Sequence, residues 1–120
     1  MNNKHVRLLQ LATRVASRRG EDDIREYYLG AVAIRDDGAI VSSRNGPAKD
    51  VCPPCHAEAR VLKKAGAGAI LYVARIRSDG SWALAMPCRT CMKLIRRRKV
   101  KAVYYTVEPG RYECITLCGQ

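Results

Sequence analysis

Apolar residues near the start of the chain recur every three to four positions. Leu8, Leu11, Ala12, Val15 and Ala16 follow the rhythm of one helical face, which predicts an amphipathic helix over residues 4 to 19. Arg7, Arg14 and Arg18 fall near one another on another face, and Gly20 is placed to stop the helix. After an acidic connector the period changes to two. Tyr27 to Arg35 alternates Leu29, Ala31 and Ala33 against Tyr28, Val32 and Ile34, the pattern of a strand. Asp36-Asp37-Gly38 is a turn signal and Ala39 to Ser43 resumes extended, so the two runs form a hairpin. Arg44 to Val51 reads as a loop, marked by Asn45-Gly46-Pro47.

Pro53 or Pro54 opens the next helix, because proline is tolerated at the first helical position. It continues through His56, Glu58 and Leu62 to about Ala65, where Gly66 stops it. Ala69 to Arg77 is a strand with Ile70, Tyr72, Ala74 and Ile76 on one face, followed by a turn at Ser78-Asp79-Gly80. Trp82 to Met86 is a short extended piece, and Pro87 introduces a helix from about Cys88 to Arg98. Val100 to Val107 is a strand that turns Ala102, Tyr104 and Thr106 one way and Val103, Tyr105 and Val107 the other. Residues 111 to 118 add a last short strand. Strand-helix-strand units imply parallel pairing and the hairpin adds an antiparallel pair. The expected fold class is α/β: an N-terminal helix, a hairpin, then βα units forming a mixed sheet flanked by helices.

A length of 120 residues suits one domain over the whole chain, and 48% apolar residues can bury a core, which excludes a disordered tail. No apolar run is long enough for a transmembrane helix, so no membrane partner is expected. The first ten residues carry Lys4, His5 and Arg7 without an apolar stretch of the signal-peptide kind, and a cytoplasmic location is the expectation. His5 itself is expected at the surface.

Charge narrows the partners. Lys and Arg number 22 against 11 acidic residues, a net +11 that favours polyanions such as nucleic acid or nucleotides. The run Arg96-Arg97-Arg98-Lys99, with Lys93 and Lys101, reads either as a solvated face suited to a helix C-terminus or as a phosphate-binding surface. It lies at the far end of its helix from Cys88, which suits a long polyanion better than one small nucleotide.

The six cysteines form three pairs, Cys52/Cys55, Cys88/Cys91 and Cys114/Cys118. In a reducing compartment such pairs are more often metal ligands or catalytic groups than disulfides. Cys88 and Cys91 share one face of a first helical turn, where unpaired N–H groups favour thiolates and two thiolates suit zinc. If the helix starts at His56 and at Cys88 meet, three ligands result, leaving one zinc position for water. Zinc brings that water's pKa to roughly 7, and Glu58 is placed to carry its proton. A closed zinc ribbon of Cys52, Cys55, Cys88 and Cys91 is the alternative, although the separation of the pairs exceeds the usual range of about 15 to 20 residues. Cys114 and Cys118 read as small core or surface residues.

His56-Ala57-Glu58 followed by Pro87-Cys88-Arg89-Thr90-Cys91 resembles the signature of the zinc-dependent cytidine/deoxycytidylate deaminase superfamily. The resemblance spans roughly residues 27 to 107, and Cys91 to Ile95 with Val103 to Tyr105 is most similar to the deoxycytidylate and nucleic-acid deaminase branch. It implies a cytidine-deaminase-like three-layer fold. It implies Zn2+ on His56, Cys88 and Cys91, Glu58 as the catalytic proton shuttle, the Ala57 N–H on the base carbonyl, and Asn45 on the sugar. The activity it implies is hydrolytic deamination of cytosine, in a nucleotide or in single-stranded DNA or RNA, giving uracil and ammonia. Adenine-to-inosine deamination in RNA and a non-catalytic, zinc-stabilised nucleic-acid-binding module are the alternatives. Tyr105, with Tyr104, reads either as a base-stacking contact to substrate or as half-buried strand packing. The N-terminal helix and Cys52-Pro53-Pro54-Cys55 depart from the family pattern.

Overall fold

The computed structural model describes residues 3–17, 27–44 and 57–117. Within them the chain runs α1 (Lys4–Ala16), β1 (Tyr27–Ile34), β2 (Ile40–Arg44), α2 (Ala57–Ala65), β3 (Ile70–Arg77), β4 (Trp82–Ala83), α3 (Arg89–Arg97), β5 (Ala102–Glu108) and β6 (Arg111–Thr116).

Asn3 starts α1 by accepting the Val6 N–H on its side chain at 2.8 Å, the ordinary N-cap bond. Leu8, Leu9, Ala12, Val15 and Ala16 are buried, whereas Leu11 is only half-buried. The buried stripe is therefore rotated toward Leu9 from the one expected. The helix closes at Ser17, whose N–H and hydroxyl both bond to the Thr13 carbonyl, at 3.1 and 3.0 Å. The expected stop at Gly20 lies outside the described residues.

The strands form a mixed sheet in the order β2-β1-β3-β5-β6. β1 pairs antiparallel with both β2 and β3, β3 pairs parallel with β5, and β6 returns antiparallel to β5. The parallel pair is the one joined through a helix, α3, as a crossover requires. β5 accompanies β3 only from Ile70 to Val73; beside Arg75 and Ile76 its place is taken by β4. β5 begins at Ala102 rather than Val100. Lys99 leaves α3 with a positive φ of 57°, and its carbonyl accepts the Gly68 N–H at 3.0 Å, so the turn holds Val100 outside the ladder.

Helices cover both faces, which is why both sets of alternating strand residues are apolar. On one face α1 packs on Val32, Tyr72 and Ala74. On the other, Val61, Leu62 and Ala65 of α2 and Ile95 of α3 pack on Ala31, Ala33, Leu71, Val73 and Val103. Gly30 is where α1 presses closest: a Cβ there would meet the Ala12 carbonyl and come within 2.6 Å of the Ala16 nitrogen. Only glycine permits that approach. Among the described residues no helix is long and apolar enough to cross a membrane.

Candidate active site

Two helix starts meet on the α2–α3 face of the sheet. Ala57 and Glu58 open α2, and both are buried, Glu58 to 3% exposure. An acidic side chain in the first turn complements the helix dipole, but a carboxylate removed from water is costly unless polar or charged groups compensate it. Pro87 is buried and Cys88 follows as the N-cap of α3, its carbonyl accepting the Met92 N–H at 2.8 Å. The Cys88 side chain makes no capping bond, so the sulfur is not spent on the helix end. One turn on, Cys91 is 1% exposed.

These three side chains sense one another. The Cys91 thiol is pushed far up from its ordinary range, first by burial, then by the charges of Glu58 and Cys88 and by a hydrogen bond between the two sulfurs. A divalent cation beside them would reverse each of those effects, since it stabilises thiolate and carboxylate alike. Two sulfurs on one turn and a buried carboxylate thus suit zinc in their chemistry. Among the described residues no three His, Cys, Asp or Glu side chains cluster closely enough to hold a metal on their own. Two sulfurs therefore need a further donor. His56, the expected one, lies outside the described residues, as do Asn45, Cys52, Cys55 and Cys118.

The remaining sequence-derived candidates fall elsewhere. Tyr105 is 6% exposed within the core beneath α2 and α3, and its hydroxyl donates to Glu113 at 3.5 Å. Burial of this kind favours the strand-packing reading of Tyr105 over the base-stacking one. Tyr104 lies on the α1 face and stacks on His5 at 4.0 Å and on Tyr72 at 5.0 Å between ring centroids. His5 is accordingly half-buried, not a surface residue, and its Nδ1 sits 2.8 Å from the Tyr72 hydroxyl. Of the basic run, Lys101 pairs with Asp36 at 3.3 Å.

Two features escaped the sequence reading. Thr106 is fully buried and holds β3, β4 and the strap leading to Cys88 together: it donates to the Ala83 carbonyl, and its backbone carbonyl accepts the Ala85 N–H. Along that strap burial alternates, with Ala83, Ala85 and Pro87 inside and Leu84, Met86 and Cys88 outside. Leu84 and Met86 are 51% and 55% exposed, two large apolar side chains left on the outer side of the strap that precedes Cys88. The small-large alternation from Ala83 to Met86 was the available signal.

The zinc-binding region of cytidine and deoxycytidylate deaminase matches residues 2–107 of the chain. Among curated proteins no relative matches. Solved structures do. Cytidine deaminase from Burkholderia pseudomallei is 16% identical, with a TM-score of 0.67 over 95% of this chain and 93% of that one. The enzyme from Mycobacterium tuberculosis is 20% identical, with a TM-score of 0.57 over 89% and 91%. That from Mycobacterium leprae is 15% identical, with a TM-score of 0.59 over 94% of each. At such identities these structures establish the shared fold, a mixed sheet flanked by helices. With the family match covering most of its length, the chain belongs to the zinc-dependent cytidine and deoxycytidylate deaminases, a family of hydrolytic enzymes.

Proposed function

We propose that this chain deaminates the cytosine base of a nucleoside or nucleotide, with His56, Cys88 and Cys91 holding zinc and Glu58 carrying protons. The observation that supports this most is the buried Glu58 carboxylate in electrostatic contact with Cys91, at the first turns of two helices. When bound, zinc supplies the Lewis acidity that makes water a nucleophile near neutral pH. Glu58 takes a proton from that water as its oxygen adds to the amino-bearing ring carbon. It delivers that proton to the ring nitrogen, then takes the second proton from the added hydroxyl and passes it to the amino group. The bond from the ring carbon to that nitrogen breaks, the carbon–oxygen bond becomes a carbonyl, and ammonia leaves with uracil remaining. The Ala57 N–H, in a first turn whose N–H groups have no intrahelical acceptor, holds the base carbonyl, and Asn45 holds the sugar. The similar solved structures carry the name cytidine deaminase, which favours cytosine over adenine.

The test is Glu58→Ala and Glu58→Gln in zinc-loaded protein, assayed by ammonia release from cytidine, deoxycytidylate and their adenine counterparts. Wild type should turn over the cytosine compounds. Both variants should lose about 100- to 10,000-fold in rate while keeping wild-type zinc content. Equal rates in wild type and variants, or no turnover of any base by wild type, would overturn the reading.

A further inference from the structure

The solvent side of the α2–α3 contact is a cleft of about 350 Å³ lined by apolar and cationic side chains. Ala59 and Leu94 give it an apolar floor, while Lys63, Lys93, Arg97 and Arg98 stand along it; among the described residues no acidic side chain lines it. All four cations are exposed, and among the described residues none of them is paired with a carboxylate. Cys91 lines the same cleft, so its inner end reaches the candidate metal centre.

The cations are arranged in a row. Lys93 and Arg97 are one helical turn apart on α3, about 6 Å along its axis, and Arg97 is about 9 Å along from Cys91, at 1.5 Å per residue. Lys63, on the facing helix, extends the positive wall opposite. Like charges gathered without counter-charges repel one another and weaken the compact state. A single phosphate would neutralise one point of the row. A chain of phosphodiesters would neutralise it along its length, and sugars or bases could lie on the apolar floor between the charges.

We propose that the α2–α3 cleft binds the backbone of a single-stranded nucleic acid and leads it to the site beside Cys91. The identity of the base delivered rests on the cytosine-deaminase reading; the binding of the strand does not.

The experiment uses zinc-loaded full-length chain and fluorescence anisotropy with short labelled oligothymidylate and oligouridylate, neither of which contains cytosine. Wild type should bind at least one of them, with affinity falling steeply between about 50 and 200 mM salt; the two strands separate DNA from RNA as the preferred backbone. Lys93→Glu combined with Arg97→Glu should weaken binding by about ten-fold or more and reduce the salt slope by about 0.7 for each phosphate no longer neutralised. Lys93→Gln with Arg97→Gln should give a smaller loss in the same direction. Lys4→Glu with Arg14→Glu changes net charge equally on the opposite face of the sheet and should bind within a few-fold of wild type. Circular dichroism and zinc content verify that each variant is folded. The proposal is overturned by absence of binding at low salt, by equal losses in the two charge-reversed pairs, or by cleft variants that bind like wild type. Inorganic triphosphate competing as tightly as the strand would also overturn it, assigning the cleft to small anions. Strand binding without turnover of any base would instead sink the deaminase reading alone.

Discussion

Thr106 donates its hydroxyl proton to the Ala83 carbonyl at 2.8 Å, deep in the sheet where β5 leaves β3 and β4 takes over. The same oxygen accepts the Arg75 N–H at 3.2 Å, and the Thr106 carbonyl accepts the Ala85 N–H at 2.9 Å. One residue therefore fixes both the end of β4 and the strap that brings Pro87 and Cys88 to the start of α3. Thr106→Val keeps the shape but leaves a buried donor and a buried acceptor without their partner. It should lower unfolding free energy by about 1–3 kcal/mol, measured by urea denaturation, and weaken zinc retention against a competing chelator. Thr106→Ser keeps the hydroxyl and should recover most of the zinc affinity. If the two variants lose zinc affinity equally, the hydroxyl does not position the strap.

Most of this architecture was legible because its signals are local. Ala31 and Ala33 against Val32 and Ile34 divide between the two faces as the alternation requires, and both faces are buried under helices. The Asp36-Asp37-Gly38 turn forms as expected, with Gly38 at a φ of 90° and the Asp37 carboxylate accepting the Ala39 N–H at 3.1 Å. Cys88, Cys91 and Glu58 could be brought together from sequence because each sits in a helical first turn, where spacing fixes the face. What escaped depends on partners far along the chain. Nothing near His5 announces Tyr72, 67 positions on, nor Tyr104 stacked on its ring. Thr106 and Tyr105 lie in a strand whose alternation gives their faces, but not the partner helices or the strap that seal both of them from solvent.

The burial of His5 and of Tyr72 makes stability depend on pH at both extremes. Burial, reinforced by the neighbouring Tyr104, Cys114 and Tyr112, raises the Tyr72 phenol from 10.0 to about 12. The folded state thus favours the protonated phenol. Its contribution is fully present below pH 10 and is lost as pH rises toward about 12. His5 is shifted the other way, lowered by burial and then by the Lys4 charge, so its contribution holds above 6.5 and fades as pH falls below that value. A neutral imidazole beside a protonated phenol, 2.8 Å apart, accords with both directions. Tyr72→Phe should therefore flatten the alkaline fall in urea-measured stability between pH 10 and 12, and His5→Gln the acid one. Unchanged pH slopes in both variants would refute the burial of these two groups as the source of the pH dependence.

Cys91 and Cys114 provide the contrast that tests the metal. Both are thiols, but Cys91 is sealed beside Glu58 under two helix starts, whereas Cys114 is exposed on β6 with Thr116 Oγ1 3.8 Å from its sulfur. Removing zinc with a chelator should abolish deamination. It should also lower the melting temperature, because a ligand that binds only the folded state stabilises it by about 2.7 kcal/mol when free ligand is 100-fold above its dissociation constant. Restoring one equivalent of zinc should restore both properties. Cys91→Ser exchanges a sulfur donor for a hydroxyl that remains protonated at neutral pH, so it should bind well under one zinc per chain, lose activity, and melt near the chelated wild type whether or not zinc is added. Cys114→Ser should keep full zinc content and a zinc-dependent melting temperature. Zinc measured by elemental analysis, together with melting curves with and without chelator, separates these outcomes. Stoichiometric zinc in Cys91→Ser would remove this sulfur from the metal site, and with it the role given to the first turn of α3.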